Sequence, residues 1–238
     1  MALQRREQVA EARRTLAAAV SAHNWSASWV RDQDDCICHV LRREAEGMIL
    51  PNLPAFLQGD YQPQDNNERL ALLGVCQSEG RCGAVARLYA DAFAADSDLA
   101  DNLTAQCLRR TRAPEHPGNP VEVFNAACRY RAARFAALAG FGLGKDGPQL
   151  NEAERSRWRQ QAREWLRADL TGWALMLDSD SQVTHDLAKR MLEHWQVDPD
   201  LAGLRDPGAL EALSPDERKE CLALWNEVAA RLKSKRSF

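Results

Sequence analysis

The chain has 238 residues, 45% of them hydrophobic and 27% charged, with a formal net charge of −3. It contains no run of about 18 apolar residues that could cross a membrane as a helix. Arginine is mixed among aspartate and glutamate, so there is no basic field to hold a phosphate backbone. The composition therefore indicates a soluble globular protein and argues against nucleic acid or a membrane as partner.

Residues 1–14 carry positive charge without a following apolar core, which is not the pattern of a secretory signal. The seven cysteines are an odd number with irregular spacing, which favours reduced thiols over a disulfide framework. They are Cys36, Cys38, Cys76, Cys82, Cys107, Cys128 and Cys221. Both observations predict a cytoplasmic protein.

Helical periodicity recurs along the chain, whereas no alternating strand pattern exceeds four residues, so we predict an all-α fold. Reciprocal caps are expected where Asp65, Asn151 and Ser214 each precede a Glu by three residues. Helices are predicted at residues 3–21, 25–47, 66–78, 82–96, 98–109, 121–139, 152–178, 183–196 and 215–234. Breaks containing Pro or Gly are expected at residues 59–63, 113–120, 140–148 and 198–207.

The first region, residues 1–57, is predicted to be a distinct helical subregion, because prolines at 51, 54 and 63 bracket a short helix at its end. It contains Cys36, Cys38 and His39, which are ligand types that suit zinc. A closed zinc site needs four ligands, and no second pair stands at a usual distance. Buried thiols beside a satisfied histidine are the more ordinary interpretation. We predict no metal and no cofactor.

The region from 65 to 238 is predicted to begin with a helical hairpin. Val85, Leu88, Tyr89, Ala92 and Phe93 form one apolar stripe, and Gly80 separates the stripe from a shorter one before it. A hairpin of this kind cannot bury its apolar face alone, so neighbouring hairpins are expected.

Two later segments contain patterns that could suggest a site. The segment from Gly140 to Lys145 has three glycines and a lysine, but it lacks the spacing, the Ser or Thr and the preceding strand of a phosphate-binding loop. We interpret it as a connector whose glycines adopt left-handed angles. His194 is predicted to be a partly buried residue at a helix end and not a catalytic base.

Helix 152–178 carries two opposite patterns. The tryptophans on its apolar side, together with Trp195 and Trp225, are expected to pack in the core. The other side repeats arginine every four residues, which is typical of a solvated face. The arginines are Arg155, Arg159, Arg163 and Arg167.

Five segments together resemble the C-terminal TPR-containing part of planctomycete-type bacterial serine/threonine protein kinases. They are LPAFLQGDYQPQDNNERLALLGVC (53–76), ARLYADAFAADSDLADNL (86–103), FNAACRYRAARFAALAG (124–140), NEAERSRWRQQAREWLRADLTGW (151–173) and HWQVDPDLAGLRDPGALEALSPDER (194–218). The resemblance covers about residues 50–235. The Gly-rich loop, His-Arg-Asp and Asp-Phe-Gly motifs of a kinase are absent from the sequence.

In the TPR pattern, Val85, Tyr89 and Ala92 match the second helix, and Ser97 replaces the usual proline. Asn125 and Ala127 match a later repeat, in which the long connection from Gly140 to Asn151 departs from the pattern. The resemblance implies an irregular TPR-like array of antiparallel hairpins, with a groove that binds a peptide or protein. The expected groove residues are Glu68, Ala71, Val75, Phe124, Cys128 and Arg131.

We therefore predict a non-catalytic interaction module, and the resemblance implies that it is accessory to a signalling kinase system. Two alternatives remain open. One is a metal-dependent enzyme on a helical scaffold that uses Cys36, Cys38 and His39. The other is a homo-oligomerisation element that associates through its terminal helices, because the uncapped ends of a repeat array tend to associate.

Overall fold

A computed structural model describes residues 2–22, 33–96 and 128–233. Every regular element within these ranges is helical, so the predicted all-α class is confirmed there. The α-helices are α1 (Ala2–Ala22), α2 (Gln33–Ile49), α3 (Leu53–Gln58), α4 (Asn66–Glu79), α5 (Cys82–Ala95), α6 (Cys128–Gly140), α7 (Glu152–Leu177), α8 (Gln182–Trp195), α9 (Ala202–Arg205), α10 (Pro207–Glu211) and α11 (Pro215–Lys233). Short 3₁₀ turns span Gly147–Gln149 and Pro199–Leu201.

Most predicted helices lie within one to three residues of the observed bounds. The helix predicted at 98–109, the break at 113–120 and the beginnings of two others lie outside the described residues. The break expected at 198–207 is wrong in detail, because the chain there forms a 3₁₀ turn and α9. Asp198 accepts a hydrogen bond from the amide of Asp200 and begins that turn ahead of Pro199.

The chain divides into two units, residues 1–97 with 144–146, and residues 98–143 with 147–238. This division differs from the boundary that the sequence suggested between residues 57 and 65. In the first unit α1 packs along α4, which in turn packs on α5, so the N-terminal region shares its core with the predicted hairpin. The buried apolar side chains of this unit include Leu16, Val20, Phe56, Leu72, Val75, Val85, Leu88 and Tyr89.

The hairpin of α4 and α5 forms as its stripes predict. The two helices are joined by Gly80 and Arg81, and Gly80 adopts a left-handed φ of 70° that suits glycine at a helix end. Because the connection is this short, the two packed helices run antiparallel. Gln77 on α4 donates a hydrogen bond of 3.2 Å to the hydroxyl of Tyr89 on α5.

The amino end of α5 is capped by a residue far away in the sequence. The carboxylate of Asp146 accepts hydrogen bonds from the amides of Gly83 at 3.1 Å and Ala84 at 2.8 Å. Gly144 has a left-handed φ of 91°, and an added Cβ there would lie 2.7 Å from the Cys82 Sγ. Gly142 and Gly144 thus have the left-handed angles expected of the connector, whereas Gly140 is the last residue of α6. The residue that follows the connector, Asp146, supplies the helix cap.

Replacing Asp146 with alanine should destabilise the beginning of α5 by about 0.5–2 kcal/mol, because two backbone amides lose their acceptor. The amides of Gly83 and Ala84 should then exchange with solvent deuterium faster than in the wild type. Lys145→Ala is the matched control. Unchanged exchange at both amides in Asp146→Ala would contradict the capping role.

In the second unit α7 is the central helix. It packs against α6, α8 and α11, and Trp165, Trp173 and Trp195 are buried as predicted, while Trp225 is half-buried. The approach of α6 to α7 is close, because α6 presents a run of fully buried alanines. These are Ala132, Ala133, Ala136, Ala137 and Ala139.

The arginine face of α7 is not the solvated face that the sequence predicted. Arg159 and Arg163 are each only 5% exposed, because α11 lies against this side of α7 and brings carboxylates with it. Arg159 contacts Glu217 at 3.0 Å, and Arg167 contacts Glu220 at 2.6 Å. Two of the four arginines therefore form ion pairs between α7 and α11.

The predicted caps differ in how completely they form. At Asn151 the reciprocal pair with Glu154 is present in both directions. Asp65 and Ser214 accept from the amides of Glu68 and Glu217. The Glu68 carboxylate is engaged mainly by Arg13 on α1 and by Tyr61 and Gln64 in the loop before α4. The Glu217 carboxylate is engaged mainly by Arg159 on α7. No helix within the described ranges is both long enough and apolar enough to span a membrane.

Candidate functional site

The first half of the predicted groove lies inside the first unit. Ala71 and Val75 have no exposed surface, and Glu68 is 1% exposed, because α1 packs along this side of α4. Contact between these residues and a peptide would require α1 to move away. As described, they do not line an open groove.

Glu68 has a structural environment that explains its burial. Its carboxylate accepts hydrogen bonds from the Tyr61 hydroxyl at 3.0 Å, the Gln64 amide at 2.9 Å and the Arg13 guanidinium at 3.1 Å. A buried carboxylate is tolerated when its lone pairs are used in this way. Glu68 thereby ties α1 to the beginning of α4.

The second half of the predicted groove is only partly described. Phe124 and the side chain of Cys128 lie outside the described residues. Arg131 is a half-buried residue on α6. Peptide binding at these three positions stays a prediction.

Cys36, Cys38 and His39 all lie on α2, and both thiols are exposed. Residues two apart on a helix point in nearly opposite directions, so the two thiols cannot reach one ion together. Among the described residues no group of three or more His, Cys, Asp or Glu side chains is arranged to hold a metal. The prediction that these cysteines are buried was wrong, since α2 turns them outward.

The polarity of α2 is reversed relative to an ordinary helix of a globular protein. We call Ile37, Val40, Leu41 and Met48 the outer face of α2. Their exposure is 46%, 56%, 57% and 84%, and their spacing places them along one side of the helix. The opposite side carries charged residues, and the fully buried residue of α2 is Glu46.

Glu46 pairs with Arg42 at 2.9 Å, four residues earlier on the same helix. Burial raises the pKa of Glu46 above its usual value, although the charge of Arg42 acts in the opposite direction. A helix normally buries its apolar stripe and exposes its charges. Because α2 does the reverse, its outer face gains little from the fold of the first unit itself.

A second cluster lies in the second unit, where α6 meets the chain that follows α8. Asp198 is 1% exposed and accepts a hydrogen bond from the hydroxyl of Tyr130, and Arg134 contacts the same carboxylate at 3.1 Å. His194 lies 3.6 Å from it. The ring of Tyr130 stacks on Trp195 with centroids 5.5 Å apart.

Tyrosine, aspartate and histidine can together perform acid–base chemistry, but the geometry here favours a structural role. Burial, and then the hydrogen bond to Asp198, raise the pKa of Tyr130 well above its usual value, so the phenol stays a hydrogen-bond donor at neutral pH. Both oxygens of Asp198 have partners within the chain. His194 is the partly buried residue at a helix end that the sequence predicted.

Sequence reasoning missed Asp198 as the centre of this cluster. The sequence feature that could have indicated its importance is an aspartate directly before a proline, here Asp198 before Pro199. This pair is a common beginning for a short helix. That signal predicts the hydrogen bond to the Asp200 amide. It does not predict Tyr130, which lies 68 residues away in sequence.

In comparisons with known proteins, no family model, no curated protein and no solved structure matches this chain. The resemblance to the TPR-containing segment of planctomycete-type kinases therefore stays an expectation from the sequence.

Proposed function

We propose that this protein is a non-catalytic interaction module that binds a protein partner through the outer face of α2. The observation that carries the proposal is the reversed polarity of that helix, with four apolar side chains outward and Glu46 inward. Exposed apolar side chains grouped on one side of a helix are a common feature of interaction sites in soluble proteins.

The energetics of α2 support this assignment. Fully burying one aliphatic side chain stabilises a complex by about 1.5–3 kcal/mol relative to leaving it exposed. The outer face offers four such side chains that the first unit leaves 46–84% exposed. A partner that covers them gains the share of this energy that corresponds to their remaining exposure, and the isolated unit does not.

The larger polar clusters support a binding role over a catalytic one. The carboxylates of Glu68 and Asp198 are both satisfied by groups of the same chain. Neither cluster presents an ionisable group that lacks a partner to an incoming substrate. The apolar side chains of α2 are a feature that such internal contacts leave unexplained.

The hairpin of α4 and α5 supports a TPR-like interpretation of the first unit. Both helices have 14 residues, and Val85, Tyr89 and Ala92 are buried, as the TPR pattern requires. We propose that this hairpin is one unit of an irregular array. An association with a signalling kinase rests on the resemblance alone and stays a prediction.

Photochemical crosslinking tests the proposed surface. With p-benzoylphenylalanine placed at Leu41, we expect one discrete crosslinked protein from cells of the source organism. Leu222 on α11 is the matched control, because it is an exposed leucine, 47% accessible, outside the outer face. The same reagent at that position should give no discrete product.

A second substitution makes this test specific. Met48→Glu in the crosslinking protein should reduce the product from position 41 by at least about tenfold, because it places a charge in the apolar contact. Its far-ultraviolet circular dichroism should be unchanged, since Met48 is 84% exposed. Equal products from positions 41 and 222, or no product from position 41, would refute the proposed function.

A further inference from the structure

Among the residues of α2 itself, the two charged side chains nearest the outer face are both acidic. Asp34 and Glu44 are exposed, and both lie within about 60° of Ile37 around the helix axis, at 3.6 residues per turn. They are ten residues apart, which is about 15 Å along a helix. The apolar stripe therefore has a carboxylate near its beginning and a second one between Leu41 and Met48.

The cations of α2 are directed elsewhere. Arg42 is turned to the side of Glu46, which it contacts at 2.9 Å. Arg43 lies about 120° around the axis from Ile37, by the same helical geometry. The outer face thus combines apolar side chains with two carboxylates and has no cation of its own within about 60° of Ile37.

We infer that the occupant of the outer face is an amphipathic helix of another protein that carries lysine or arginine beside its apolar stripe. This inference rests on the proposed function and names the class of partner. Complementary charge at the rim of an apolar contact selects the partner and excludes competitors of like charge.

A helix fits this surface better than an extended peptide. The backbone groups within α2 are hydrogen-bonded inside the helix, so α2 offers no free edge to which a strand could add. Side chains spaced by three and four residues form a ridge that packs into the groove of a second helix. The apolar stripe has this spacing from Ile37 to Leu41.

A second copy of this chain fits the face less well than a basic helix. Two outer faces packed together would bring four carboxylates to a contact without a cation between them. Like charges brought together at an interface disfavour that pairing.

Glu44 is the more informative of the two carboxylates to test. Asp34 also lies in the first turn of α2, where acidic residues stabilise a helix.

Two synthetic helical peptides provide the experiment. Both carry the same leucine stripe, and one has lysine and the other glutamate at the positions that flank it. In fluorescence anisotropy titrations of the full chain, the lysine peptide should bind about tenfold more tightly than the glutamate peptide, since each exposed charge pair contributes modestly. Added salt should reduce this preference.

Variants of the chain show whether Glu44 is responsible for the preference for the lysine peptide. Glu44→Lys should weaken binding of the lysine peptide by severalfold and strengthen binding of the glutamate peptide. Asp60→Lys is the matched control, because it makes the same charge change at an exposed position of the first unit outside α2. Both peptides should bind this control as they bind the wild type.

The outcomes separate this inference from the proposed function. Equal binding of the two peptides would overturn the charge preference, while the apolar docking surface would stand. Failure of both peptides to bind, with a specific crosslink at position 41, would overturn a basic helix as the partner. A dimer in light scattering that Met48→Glu abolishes would assign the face to a second copy instead. Absence of both peptide binding and the crosslink would refute the proposed function as well.

Discussion

Asp198→Ala is expected to lower the free energy of unfolding of the second unit by about 3–5 kcal/mol, the usual cost of breaking a buried ion pair from one side. The substitution leaves the fully buried hydroxyl of Tyr130 without its acceptor. It also removes the carboxylate that Arg134 contacts at 3.1 Å. Few single substitutions in the described chain should cost as much.

Urea unfolding followed by tryptophan fluorescence measures this loss. Five of the seven tryptophans, at 158, 165, 173, 195 and 225, belong to the second unit, and Trp195 stacks directly on Tyr130. The emission should therefore report the unit that the substitution affects.

Two further variants distinguish the buried carboxylate from its half-buried neighbour. Asp198→Asn keeps the shape and one acceptor, so it should cost less, about 2 kcal/mol. Asp200→Asn is the control, because Asp200 contacts the same guanidinium but its side chain is 29% exposed, and it should cost at most about 1 kcal/mol. Equal losses at 198 and 200 would contradict the assignment of Asp198 as the centre of the cluster.

Arg159→Met is expected to cost about 2–4 kcal/mol, because the buried carbonyl of Gly140 and the half-buried carboxylate of Glu217 lose the guanidinium donor. Methionine keeps much of the aliphatic stem, so the loss reports mainly on the guanidinium. The guanidinium donates to the carbonyl of Gly140 at 2.8 Å and to both oxygens of Glu217 at 3.0 and 3.2 Å. One side chain thus connects α7 with the end of α6 and with α11. Arg157→Met is the matched control, because Arg157 lies two residues earlier and is exposed.

The effect of Arg159→Met should depend on pH. Burial alone would raise the pKa of Glu217, but the hydrogen bond and charge of Arg159 outweigh burial and lower that pKa. A carboxyl with a lowered pKa in the folded state contributes stability above its unfolded value of about 4.3, and that stability is lost as pH falls through the folded value.

The difference in unfolding free energy between wild type and Arg159→Met should therefore narrow as the pH falls from about 5 to about 3. Urea titrations at several pH values in that range measure it. Arg157→Met should differ from the wild type by less than about 0.5 kcal/mol at every pH. A difference for Arg159→Met that stays constant with pH would show that Glu217 is not the group linked to it.

The sequence by itself determined most of the local structure. The period of apolar residues placed α4, α5, α7, α8 and α11 nearly where they lie, because helical periodicity and caps depend on residues three or four apart. Asn151 with Glu154 forms the reciprocal cap for the same reason. The burial of Trp165, Trp173 and Trp195 also follows from their positions on apolar stripes.

Only the tertiary structure decided what each polar side chain meets. Arg159 and Glu217 are 58 residues apart in sequence, and Arg13 and Glu68 are 55 apart, so no local pattern shows that they pair. The predicted solvated face of α7 became buried for this reason, and so did the predicted groove residue Glu68. The outward direction of the apolar stripe of α2 likewise depends on tertiary structure. Helical spacing places Ile37, Val40, Leu41 and Met48 on one side of the helix. Only the packing of α1 and α2 shows that this side faces outward.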